Sequence, residues 1–251
     1  MSYILSILQY QPHRLLITHH RDHTVQFQDI SAQLLLEHGS PSIQNHFPKP
    51  LHAFTIGLNS LLTDAAVTMH TSPSFISKPE ISSVHLAGES LECAVVFKTG
   101  ELALYRLGSV APADMIYREA EDQELIIVEH IPVPNNQRYH PYFILTPGLG
   151  RVTTCALSDI GEFFPCSHAA LVINVCIGFL AVSYADGSLF IVDMRGPTII
   201  FRSGQEAKSK HKHMSKLIGK HSNESDTVRC FNWAVCGLGT GTFEPILLYL
   251  G

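Results

Sequence analysis

The stretch Gly178–Pro197 reads GFLAVSYADGSLFIVDMRGP. Two apolar runs, FLAVSY and SLFIVDM, flank the tripeptide ADG. Both runs are rich in Val, Ile, Phe and Tyr, the residues that fit a pleated surface. Asp186-Gly187 between them is a strong hairpin signal, because glycine accepts the positive φ that a tight turn needs. Neither run alternates cleanly between apolar and polar, which predicts strands covered on both faces. Gly196 allows a sharp bend and Pro197 removes a ladder donor, so the second strand must stop there. The following TIIFR predicts a further short strand.

The same shape recurs. CAVVFKTGELALYRL (Cys93–Leu107) turns at Thr99-Gly100, and LLITHHRDHTVQFQDI (Leu15–Ile30) turns at RDH without a glycine. ISSVHLAG (Ile81–Gly88) and RVTTCALSD (Arg151–Asp159) supply a strand ahead of two of these hairpins. TVRCFNWAV (Thr227–Val235) and the terminal PILLYLG read as a fourth unit of two strands. Asp29 and Asp193 each close the second strand of a hairpin, where an Asp side chain binds the amides of the next turn.

Repeated antiparallel meanders of this kind predict an all-β chain, a partial WD-repeat-like β-propeller of about four blades. The blade segments fall at 14–30, 81–107, 151–202 and 227–251, within one unit spanning 1–251. Loop insertions fall at 37–80 and 202–226. The first opens with the Gly/Pro/Ser/Asn-rich EHGSPSIQNHFPKP and carries a short helix about Leu58–Val67. Turn glycines Gly100 and Gly187 lie 87 residues apart, about twice the repeat of ~40–45 residues. Long inter-blade insertions or a divergent blade must fill the gap, and ELIIVEHIPVP (Glu124–Pro134) is the candidate for strands of such a blade.

Composition narrows the function. Charged residues make up only 16% of the 251 and net charge is −5, so no basic field exists to hold nucleic acid. The six cysteines show no C-x-x-C pair, which points to reduced thiols in an intracellular compartment. The most apolar stretch, Ala169–Val182, has 14 residues, short of the ~20 that span a bilayer.

No catalytic, cofactor or metal residues emerge. His19, His20, Asp22 and His23 crowd one hairpin, with His211 and His213 elsewhere. Adjacent strand residues point to opposite faces, however, and no zinc spacing is present. Ser183, Asp186 and Ser188 are turn-capping types rather than a nucleophile–base set, and G-x-S-x-G is missing. CGLGTGT (Cys236–Thr242) has the wrong spacing and the wrong following element for a dinucleotide loop. A metal-dependent hydrolase using the histidines is the enzymatic alternative. Lys208, Lys210, Lys212, Lys216 and Lys220 form a basic run. It reads first as a solvated loop, and second as a contact for an acidic partner or anionic lipid.

The segment GFLAVSYADGSLFIVDMRGPTIIFR resembles the fungal branch of the lethal giant larvae/tomosyn family of SNARE-dependent exocytosis proteins. Gly178, Phe179, Ala181, Tyr184, Gly187, Asp193, Arg195, Gly196 and Pro197 carry the likeness. In the first hairpin His20, Thr24, Val25, Phe27 and Asp29 fit, while His23 stands for the usual Gly and Gln28 for the usual Trp. Glu89, Leu91, Ala94, Val95 and Gly100 fit a third segment. The resemblance implies a non-enzymatic scaffold in vesicle docking and fusion. Its expected partners are plasma-membrane SNARE proteins, a secretory Rab GTPase and type II myosin. Its expected place is cytoplasmic and peripheral, at the plasma membrane or cell cortex. The family's two tandem propellers exceed this length, so the chain is expected to be a fragment. Two alternatives stay open: a generic WD-like scaffold with unrelated partners, and a truncated piece without function.

Overall fold

A computed structural model describes residues 15–30, 49–87, 90–108, 119–158, 161–162, 175–176, 178–203, 230–237 and 243–250. Antiparallel strands dominate, as the apolar runs require. The first sheet has the order β1-β2-β3, from Leu15–His19, Thr24–Asp29 and Ile56–Gly57. The second has the order β4-β5-β6-β8-β7, from Ile81–Leu86, Cys93–Phe97, Leu102–Leu107, Tyr139–Leu145 and Leu125–Ile127. The third has the order β14-β13-β12-β9, from Thr198–Arg202, Leu189–Asp193, Phe179–Tyr184 and Val152–Leu157. Among the described residues two further pairs are seen: the short β10 (Gly161–Glu162) with β11 (Val175–Cys176), and the eight-residue β15 (Cys230–Gly237) with β16 (Phe243–Leu250).

The fold is all-β and propeller-like. β4 and β15 both lie against β9, so the first strands of successive sheets converge on one side. The sheets stack face to face. In the second sheet Cys93, Val95, Phe97, Ala103, Tyr105 and Ile144 face one core, with Val25, Phe27 and Ile56 of the first sheet. Their neighbours Ala94, Val96, Leu102, Leu104, Phe143 and Leu145 face a second core, with Leu180, Val182, Phe190 and Val192 of the third. Odd and even residues of one strand thus enter different cores. This is why β5 is continuously apolar and wholly buried; β12, also wholly buried, sends Leu180, Val182 and Tyr184 into the second core.

The hairpin of the opening stretch pairs Phe179 with Asp193 through Ser183 with Leu189, and Gly187 sits at φ +89. Gly100 sits at φ +105, and a Cβ there would collide with the Gly150 carbonyl, because the β8–β9 connection passes directly over this turn. At the RDH turn, His23 itself adopts the left-handed region at φ +62, the place where the family pattern has Gly.

One expectation changes, and the helix expected about Leu58–Val67 is found with two neighbours. Glu124–Pro134 forms no sheet of its own; it supplies β7, which pairs outside β8 at the edge of the second sheet. Three residues of strand are too few to nucleate a separate meander. The region after residue 50 holds β3 and three short helices, α1 (Asn59–Thr63), α2 (Ala65–His70) and α3 (Pro73–Ser77). Asp64 caps α2 by accepting from the amides of Ala66 and Val67. Ser72 caps α3, and Pro73 occupies its first turn. The helices bury Leu61, Leu62, Val67 and Phe75 in the first core.

Candidate functional surface

The turn Asp193–Pro197, the segment most specific in the sequence, is built as a latch between the second and third sheets. Asp193 Oδ1 accepts from the Arg195 amide at 3.0 Å, and its carboxylate also holds the Arg195 guanidinium at 3.1 and 3.3 Å. An aspartate at a strand end thereby closes the following turn, as its position predicts. Two side chains of the second sheet then seize the turn's backbone. Arg106 Nη2 donates to the Met194 carbonyl, and Tyr142 Oη donates to the Arg195 carbonyl at 3.1 Å.

Arg106 is the hub of this arrangement. Its Nε donates to Glu92 Oε1 at 2.8 Å, and its guanidinium lies 3.6 Å above the Tyr142 ring. Glu92 is buried, so its charge requires this partner. Burial raises the Tyr142 phenol, against the opposing pull of Arg106. Gly178 closes the underside, since a Cβ there would run into Met194 Cε. Further out, Asp122 Oδ2 accepts from the Ile199 amide at 2.8 Å, and Glu124 pairs with Arg202, which also lies over Phe190. The latch leaves the Arg195 side chain half exposed on a turn whose backbone is fixed. Such a rigid turn suits contact with another macromolecule.

Glu92, Arg106, Tyr142 and Asp122 were not singled out by sequence. The one trace is Arg106 itself, a lone charge inside the apolar run LALYRL.

Other sequence candidates resolve as turn chemistry. Asp22 Oδ1 accepts from the Thr24 hydroxyl at 2.7 Å and the Thr24 amide at 3.2 Å, and the hydroxyl holds the Asp22 carboxyl below its usual value. His20 pairs with Thr18 at 3.0 Å, and His19 ends β1. Among the described residues no group of three or more His, Cys, Asp or Glu side chains is placed to hold a metal ion. Asp186 caps its own turn, accepting from both the amide and the hydroxyl of Ser188 at 2.9 Å. Ser183 is buried within β12. Cys236 and Gly237 lie in β15, and Gly237 pairs with Phe243, so the glycine-rich stretch joins two antiparallel strands. His211, His213, Lys208, Lys210, Lys212, Lys216 and Lys220 lie outside the described residues. Cys93 and Cys155 are free and buried, and burial pushes both thiols up to about 12. No helix among the described residues is long and apolar enough to cross a membrane.

Comparison with known proteins agrees with this architecture. The family profile described as "Lethal giant larvae(Lgl) like, C-terminal" matches residues 78–251, which include the second and third sheets and the latch between them. The Saccharomyces cerevisiae protein named "Lethal(2) giant larvae protein homolog SRO77" is 25% identical over 185 residues, covering 68% of this chain. The chain spans 15% of the length of that relative.

Proposed function

The chain belongs to the lethal giant larvae family, and from that premise we propose that it works as a non-enzymatic interaction scaffold in polarised exocytosis. The proposed partners are plasma-membrane SNARE proteins and a secretory Rab GTPase, with type II myosin as a cortical contact. The proposed location is cytoplasmic and peripheral at the plasma membrane or cortex. The observation that supports the reading is the family match over residues 78–251. The latch adds a physical reason: it fixes two sheets against one another, and a fixed surface loses little entropy on binding.

We also propose that Lys208, Lys210, Lys212, Lys216 and Lys220 contact an acidic partner or anionic lipid headgroups. The run carries five positive charges in a chain of net charge −5.

The test is a pull-down with the purified chain as bait. Plasma-membrane SNARE helices and a secretory Rab in its GTP and GDP states are the prey. Capture of a SNARE, or of the Rab in its GTP state, is the expected result. A chain that is monomeric and folded but captures neither overturns the exocytic reading. Replacing the five lysines by glutamine is expected to weaken capture at low salt and leave the fold intact; unchanged capture removes them from the surface.

A further inference from the structure

Thr71 and Ser72 connect α2 to α3, which opens at Pro73. Ser72 is half-buried, while His70, Pro73 and Ser74 around it are exposed. Thr71 (φ −107, ψ 168) and Ser72 (φ −70, ψ 143) are extended, the conformation favoured ahead of a proline. A surface Ser-Pro on extended backbone is the minimal substrate form for proline-directed serine/threonine kinases. Thr146-Pro147 has the same dipeptide character, but the Thr146 amide is tied to the Glu124 carbonyl at 2.8 Å, at the edge of the second sheet. Ser40-Pro41 lies outside the described residues.

The partner of the Ser72 hydroxyl sets this position apart. Ser72 Oγ donates to Glu101 Oε1 at 2.9 Å, accepts from the Phe75 amide at 3.2 Å and lies 3.1 Å from Ser74 Oγ. Glu101 is 4% exposed, and its other oxygen, Oε2, is buried with no hydrogen-bond partner among the described residues. The serine proton is therefore the one hydrogen bond that carboxylate receives from a side chain among the described residues. The same contact holds α3 to the second sheet, beside fully buried Phe75, whose ring meets Phe97 edge-on at 4.8 Å.

We propose that Ser72 is a phosphorylation site and that phosphate there unseats α3 from the second sheet. In the modifying step Ser72 Oγ bonds to the γ-phosphorus of ATP. The bond from that phosphorus to the β,γ-bridging oxygen breaks, ADP leaves, and the hydroxyl proton passes to the kinase's catalytic carboxylate. The product carries about 1.5 to 2 negative charges. It has no proton to give Glu101 and faces a buried carboxylate with nowhere else to turn. Like charges at that distance repel, and the buried Glu101 carboxylate cannot be hydrated without opening the contact. The favourable pull of a helix start on an anion is small for a helix of five residues. When α3 leaves, Phe75 leaves with it, and Phe97 is uncovered as an apolar surface.

The experiment treats the full chain with a purified proline-directed kinase and Mg-ATP, maps the phosphate by mass spectrometry, and follows amide hydrogen exchange. Phosphate at Ser72 is expected, with none at that position in Ser72→Ala and little in Pro73→Ala. Amides of Phe75 and Ile76 are expected to exchange at least tenfold faster once it is attached. Glu101→Gln, which replaces the charge by an amide able to donate to phosphate, is expected to reverse most of that acceleration. Circular dichroism of the unmodified variants establishes that each is folded. A folded chain that takes no phosphate at Ser72, even if the isolated 66–78 peptide does, overturns the proposal. So does phosphate at Ser72 with exchange in α3 unchanged, or equal acceleration in Glu101→Gln.

Discussion

On one face of the second sheet, Phe97, Tyr105 and Ile144 meet the first sheet and three short helices. On the other, Leu104, Phe143 and Leu145 meet the third sheet. The apolar halves of these two seams are alike. Their polar halves are not. The first is joined by Ser72 to Glu101 and by His130 to Asp64 at 3.0 Å. The second is joined by Arg106 to the Met194 carbonyl, Tyr142 to the Arg195 carbonyl, Asp122 to the Ile199 amide and Arg202 to Glu124. Two of these contacts rest on arginine, which stays charged at every pH a cell reaches; the Ser72 hydroxyl at the other seam is a group that phosphorylation can convert to an anion. The seam between the second and third sheets is the permanent one, and the seam under the helices is the one open to modification.

The sharpest test of the shared apolar half is truncation on each side. Phe97→Ala and Phe143→Ala, both in fully buried positions, are each expected to cost about 3–5 kcal/mol. Chemical denaturation measures both. A cost near zero on one face alone would mean that face is loosely packed and the symmetry is false. Gly100→Ala is expected to cost about 3 kcal/mol, because the side chain needs φ +105 and meets the Gly150 carbonyl.

Next in size is the latch. Arg106→Met is expected to cost about 2 kcal/mol, most of it from leaving the Glu92 charge buried and alone. Adding Glu92→Gln is expected to return part of that loss. If the double variant is simply additive, the pair is not coupled and Arg106 acts by packing alone.

A smaller, graded effect comes from pH. Burial raises the thiols of Cys93 and Cys155 from 9.0 to about 12 and raises the phenols of Tyr105, Tyr139 and Tyr184 above 10.0. The unfolded chain therefore releases protons before the folded one. Stability is fully present below about pH 9 and falls as pH rises from about 9 to 12. Urea midpoints across that range measure the slope. A Cys93→Ala, Cys155→Ala variant is expected to flatten its lower part, where the thiols of the unfolded state titrate first.

The least effect is expected at the surface trio Lys78, Glu80 and Lys98. The Lys98 and Lys78 ammonium groups hold the Glu80 carboxyl down to about 2 at the surface. Lys98→Met is expected to leave the urea midpoint at neutral pH unchanged within error, since exposed pairs contribute little. The carboxyl's depressed value instead makes its contribution fade as pH falls from about 4.5 toward 2. NMR titration of Glu80 in Lys98→Met is expected to show its pKa climbing back.

The hairpins were legible because each advertises itself locally: an apolar run, a turn and an apolar run within about twenty residues. The continuous burial of β5 and β12 was legible for the same reason. β7 was not, because its place outside β8 depends on a partner later in the chain. The latch was illegible in a stronger sense. Arg106 and Met194 lie 88 positions apart, and no short pattern links a strand arginine to a backbone carbonyl in another sheet. The Arg-Gly-Pro motif marked the right spot while hiding its mechanism, since the motif's carbonyls, rather than its side chains, receive the second sheet. Gln28 shows the converse. It replaces the family's Trp, and it is buried with no partner for Oε1 among the described residues, which the substitution alone does not reveal.

The strand order β4-β5-β6-β8-β7 carries a consequence for synthesis. β6 is complete at Leu107, but its neighbour β8 begins only at Tyr139. At translation rates of about 5–20 residues per second, that edge waits roughly 2–6 s for its partner. Throughout the wait it presents the apolar Leu102–Tyr105 run and a row of unpaired amides to the crowded space outside the ribosome. Chaperone capture of nascent chains is expected to peak in this interval and to fall once β7 and β8 have docked together as a finished hairpin.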